Sequence, residues 1–173
     1  MAGIIYDLVD ILEQQKECYE GLYTLATYKT QAIVNKEINF LQDVVNREEE
    51  FLGRMAILDK KREETFNDIA LVTGLNPKTI TITIIIQKMG ENLDVSKTLV
   101  KLREDLLGVI KKVKRENDQN KLLLEQSIEF VNFSLNAIKS TKFTPMEHNY
   151  TKASLQQSLS QSLDTISMFD SKR

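Results

Sequence analysis

Residues 93–140 contain no proline and one glycine, Gly108, and their apolar side chains recur every three or four positions: Leu99, Leu102, Leu106, Val109 or Ile110, Val113, Leu124, Ile128, Val131, Leu135 and Ile138. That spacing is one face of an α-helix. At about 1.5 Å per residue the helix is roughly 70 Å long, several times the mean globular helix. One small core cannot cover such a stripe, so its partners must be long helices too.

The middle of this stretch carries polar residues where apolar ones are due. If Asn117 and Asn120 hold the seam between Val113 and Leu124, the steps read 4, 3, 4, 4, 3, 4 down to Leu135 and enclose an eleven-residue interval in a heptad background. A stutter of this kind locally unwinds a left-handed supercoil. Two seam amides then set register at some cost in stability; a direct grip on a ligand is the alternative.

Two further long helices precede it. The first spans about residues 4–34, with Leu8, Ile11 or Leu12, Cys18 or Tyr19, Leu22, Leu25 and Ala32 or Ile33 along one side. Gly21 in its middle either weakens the helix or admits a close neighbour. Asn35 reads as a break and a new N-cap. The second helix, 37–73, carries Ile38, Leu41, Val44 or Val45, Phe51 or Leu52, Met55, Leu58, Phe66 and Ile69, and stops at Gly74 ahead of Asn76 and Pro77. Glu48 and Arg62 fall beside its stripe and read as edge residues with charged neighbours. Residues 79–86 alternate Thr and Ile, which by propensity is a strand. A lone strand among helices has no ladder partner, so a short helix from about Thr81 is the better expectation.

Beyond Ser140 the composition changes. Pro145 ends any continuation, and residues 153–169 are rich in Ser, Gln and Leu, too poor in apolar groups to hold a core. Their apolar positions Leu155, Leu159, Leu163 and Ile166, with Phe169 beyond, still form one narrow helical stripe. Such a segment orders in a partner's groove or packs back on its own body. The expected architecture is therefore all-α. It is an elongated antiparallel bundle of three long helices with a short linking helix in residues 1–140, and a flexible or inducible C-terminal helix in a partner-binding tail, 141–173.

Composition excludes several functions. The net charge of −2 over 173 residues gives no field for nucleic acid, and the run Lys111, Lys112, Lys114, Arg115 wraps the polar side of a helix as a solvated face. No stretch is long and apolar enough for membrane insertion, and the start lacks a signal-peptide pattern. The single cysteine, Cys18, fits a reducing compartment, so a cytoplasmic location is expected. With one histidine, His148, neither a di-iron bundle nor a structural zinc site can be assembled. There is no phosphate-binding glycine loop. No catalytic residue, cofactor or metal is expected.

These features together resemble the FlgN-type flagellar export chaperones. The likeness rests on the thirty-residue first helix, on Ile38, Leu41, Glu48, Leu52, Met55, Leu58 and Arg62 in the second, on Asn117, Asn120, Leu123 and Leu124 in the last long helix, and on Tyr150 after it. The resemblance implies a chaperone that captures amphipathic C-terminal segments of hook–filament junction proteins, and a tyrosine, here Tyr150, that docks on the export gate. Where the family often has glycines after this tyrosine, the chain has Thr151, Lys152, Ala153 and Ser154. A long last helix leaves Val131, Leu135 and Ile138 poorly covered, and exposed apolar area of that kind marks a partner site together with Leu155, Leu159, Leu163, Ile166 and Phe169. The competing reading is a structural coiled-coil or adaptor protein that forms homo-oligomers through the same seams.

Overall fold

The computed structural model describes residues 2–142, and every regular element among them is an α-helix: α1 (Ala2–Asn35), α2 (Ile38–Thr73), α3 (Ile82–Met89) and α4 (Asp94–Lys142). The chain divides into two units, residues 1–130 and 131–173, at a boundary inside α4. The composition change expected to mark the boundary lies ten residues later.

Local chemistry fixes the ends of the elements. α1 closes with a Schellman pair, Glu37 N–H donating to Ala32 O at 2.9 Å and Lys36 N–H to Ile33 O at 3.2 Å. Lys36 takes the left-handed position of that motif, with φ of 60°. Asn35 is therefore the last residue of α1 and not the cap of the next helix; Glu37 is the N-cap of α2, without a side-chain bond. Gly74, at φ 70°, ends α2 in the left-handed conformation that the sequence led us to expect. The Thr-Ile run forms helix, not strand, since the Thr81 hydroxyl accepts from Ile84 N–H and nucleates α3.

The first unit is held by long-range polar pairs and two apolar clusters. The Lys29–Glu48 ion pair and the bond from Gln15 Nε2 to Asp59 Oδ1, at 2.7 Å, run α2 antiparallel to α1. Lys16 meets Asp105 at 2.9 Å and the Thr30 hydroxyl meets Asn120 at 2.6 Å, so this part of α4 runs parallel to α1 at a constant offset. At one end a core joins all four helices: Ile5, Leu8 and Leu12, Ile69 and Ala70, Ile85 and Ile86, and Leu99, Leu102 and Leu106. Each leucine or isoleucine buried there contributes about 1.5–3 kcal/mol. Further along, Cys18, Met55 and Leu58 form a second cluster with Tyr19 and Phe51, and no α4 residue belongs to it. Phe51 packs so closely on α1 that a Cβ at Gly21 would stand 2.5 Å from its ring.

The apolar stripe of α2 is narrower than its periodicity suggested. Ile38 and Leu52 are exposed, whereas Val44, Met55, Leu58 and Ile69 are buried. α4 behaves likewise: Leu99, Leu102, Leu106 and Val109 are buried, and from Ile128 onward the stripe residues are exposed.

Candidate functional site

In the first unit, α1, α2 and α4 line a cleft of about 570 Å³. Its floor is α1, through Tyr19, Leu22 and Lys29; one wall is α2, through Glu48 and Leu52; the other is α4, from Val113 to Ile128. Leu22 is buried, but Leu52 is 56 % exposed and Ile128 59 %. Lys29 and Glu48 form an ion pair with side chains only 17 % and 14 % exposed.

The two asparagines expected together on the seam separate here. Asn120 is 2 % exposed, its amide donating to Ala26 O at 2.8 Å while its oxygen accepts from Thr30 Oγ1. Asn117 is exposed and lines the cleft. The physical reason is angular: positions three apart on a helix differ by about 60°, so Asn120 faces α1 while Asn117 is turned toward the cleft.

In the second unit, the described helix, residues 131–142, carries Val131 at 53 %, Leu135 at 48 % and Ile138 at 53 % exposure. The stripe of this described helix thus leaves large apolar side chains about half exposed. The family model for FlgN protein matches residues 1–161. The chain belongs to the FlgN family. This is the flagellar export chaperone family. No curated protein and no solved structure matches the chain.

Of the residues that an FlgN chaperone was expected to use, Tyr150, Leu155, Leu159, Leu163, Ile166 and Phe169 lie outside the described residues. Glu48 and Arg62 have the partners expected of edge residues: Glu48 pairs with Lys29, and Arg62 contacts Asp59 at 3.1 Å and donates to Gln15 Oε1 at 3.3 Å. Sequence reasoning missed the buried Gln15, although it continues the Leu8, Leu12 spacing; a polar letter on the stripe concealed it. It also missed Lys29, whose importance comes only from α2 lying opposite. Lys16 and Asp105 tie α1 to α4, and their hydrogen bond holds the Asp105 carboxyl below its ordinary 3.8 and the Lys16 ammonium above its ordinary 10.5. Among the described residues no His, Cys, Asp and Glu cluster could hold a metal, and no helix is long and apolar enough to cross a membrane.

Proposed function

We propose that this FlgN-family chain is a cytoplasmic, non-enzymatic export chaperone. It binds the C-terminal helical segments of flagellar hook–filament junction proteins, keeps them soluble and delivers them to the flagellar type III export apparatus. Family membership supports the export role, and one observation carries the binding role: Val131 and Leu135, a single helical turn apart, are about half exposed. Half-exposed apolar groups at helical spacing gain about 1 kcal/mol each when an amphipathic partner helix covers them, roughly half the value for a fully exposed side chain. The tail stripe Leu155, Leu159, Leu163 and Ile166 supplies a second set of anchors in this reading, and Tyr150 docks on the export gate.

The test is calorimetry of the full chain against peptides spanning the C-terminal helices of the junction proteins. Val131→Asp with Leu135→Asp should weaken binding at least tenfold and leave the thermal melt unchanged. Full affinity in that variant would remove the helix stripe from the binding site.

A further inference from the structure

We propose that the outward face of α4 between Leu107 and Leu122 is a docking surface for an acidic helical segment of a partner protein. The inference goes beyond the cargo reading and does not depend on it.

The first observation is an excess of one charge. Residues 106–115 hold four cations, Lys111, Lys112, Lys114 and Arg115, and no carboxylate, and all four are exposed. A face that serves solvation alone mixes both signs at i,i+3 and i,i+4 spacing, as Lys16 with Glu20, Lys60 with Glu64 and Asp94 with Lys97 do elsewhere in this chain. Here the same spacing sets Lys111 beside Lys114 and Arg115, and Lys112 beside Arg115. Like charges so placed destabilise a helix. Among the described residues Lys111, Lys112 and Lys114 enter no ion pair. Lys112 lies over the Tyr23 ring at 5.9 Å, and Arg115 reaches only the adjacent Glu116, at 3.7 Å. A local rule broken without compensation in the fold points to function, and an arriving anion relieves the conflict.

The second observation is the arrangement of the face. Leu107, Lys111, Lys114, Asp118 and Leu122 follow one another at steps of 4, 3, 4 and 4, with Arg115 beside them, so they share one side of the helix. Leu106, Val109 and Asn120 are buried on the other side. Leu107 is 52 % exposed and Leu122 55 %. The stripe is about 22 Å long, roughly four turns, apolar at its ends and basic in its centre. A Cβ at Gly108 would meet nothing within 4 Å, so no described neighbour requires glycine there, and its bare backbone admits close approach from outside. A helix laid along this stripe covers the two leucines and sets carboxylates against the cations.

The third observation selects among anions. Glu104 and Asp118, both exposed, bracket the cations on the same face. A nucleic acid or a flat anionic bilayer would press phosphates onto these carboxylates as well as onto the lysines. A segment one helix wide meets the basic centre and can answer the brackets with cations of its own. The chain's own residues 143–173 lack the chemistry: Glu147, Asp164 and Asp170 are their only acids, and no two of these stand a helical turn apart.

The test titrates the full chain into a fluorescently labelled helical peptide of alanine and glutamine, with a leucine near each end and three glutamates between, and reads anisotropy at low salt. Lys111→Gln with Lys114→Gln and Arg115→Gln should weaken binding tenfold or more while the melting temperature holds or rises, because the like-charge contacts are gone. Lys111→Glu with Arg115→Glu should lose this peptide and bind its counterpart with lysines in place of the glutamates. Equal affinity of the unmodified chain for the glutamate peptide and an all-glutamine version would overturn the proposal, as would undiminished binding in the triple variant. A lowered melting temperature in that variant would make the cations structural and overturn it too. Co-sedimentation with vesicles of equal parts phosphatidylcholine and phosphatidylglycerol, lost in the triple variant and unaccompanied by peptide binding, would assign the face to anionic lipid instead.

Discussion

Asn120 is a buried polar residue whose amide nitrogen and oxygen each have a partner on α1. Its amide donates to Ala26 O, and Thr30 Oγ1, which donates to its oxygen, also reaches Ala26 O at 3.1 Å. Replacing it by leucine therefore strands no donor, and Asn120→Leu should change unfolding free energy by no more than about 1 kcal/mol. Asn120→Asp buries a carboxylate facing the Ala26 carbonyl and should cost about 2–4 kcal/mol. Equal urea midpoints for the two variants would contradict this account. Gly21 poses the opposite problem. Alanine there gains about 1 kcal/mol of helix propensity, but its methyl would sit 2.5 Å from Cε1 and Cζ of Phe51. Displacing the ring outweighs the gain, so Gly21→Ala should lose about 1–2 kcal/mol net. Adding Phe51→Leu should relieve part of that loss in a double-mutant cycle.

Between elements, the Lys16–Asp105 pair is the main charged tie of α1 to α4. The folded Asp105 carboxyl is more acidic than its ordinary 3.8, so its contribution is present above that pH and is lost as pH falls through the lowered value. The folded Lys16 ammonium is less acidic than its ordinary 10.5; its contribution is complete below that pH and is lost as pH rises through the raised value. Both side chains are about one-third exposed, so the effect is modest and salt-screened. Asp105→Asn should lower the neutral plateau of a stability–pH curve slightly and flatten its acid limb by the same amount, leaving stability at the acid end unchanged. An acid limb as steep as that of the unmodified chain would assign acid sensitivity to other carboxylates.

For the molecule as a whole, the division inside α4 separates a unit with its own core from one whose described helix exposes its apolar stripe. Stability and partner binding should therefore respond to different substitutions. Leu159→Asp with Leu163→Asp in the tail should weaken junction-protein peptide binding at least tenfold, because three leucines in one stripe supply up to about 5–9 kcal/mol before ordering is subtracted. The circular-dichroism melt should stay the same. A melt lowered by that double variant would make the tail stripe part of the core and remove it from the binding surface.

By itself the sequence determined the elements. Apolar spacing, Gly74 before Asn76 and Pro77, and Thr81 three residues ahead of Ile84 are local signals, and the chain ends and starts its helices there because backbone groups are satisfied within a few residues. It also carried the family likeness, since that rests on the order of such elements. Tertiary structure alone decided which members of each stripe are covered. Periodicity gives the direction of a face but not the width of its neighbour, so Ile38 looks like core in the sequence and is exposed in the fold, and of the alternatives Phe51 and Leu52 only Phe51 packs against the core. Lys29 gained its role from Glu48 on α2, and Asn117 and Asn120 parted because only Asn120 lies against α1. The cleft is lined by residues of α1, α2 and α4 together, a relation between distant segments that no local pattern of residues encodes.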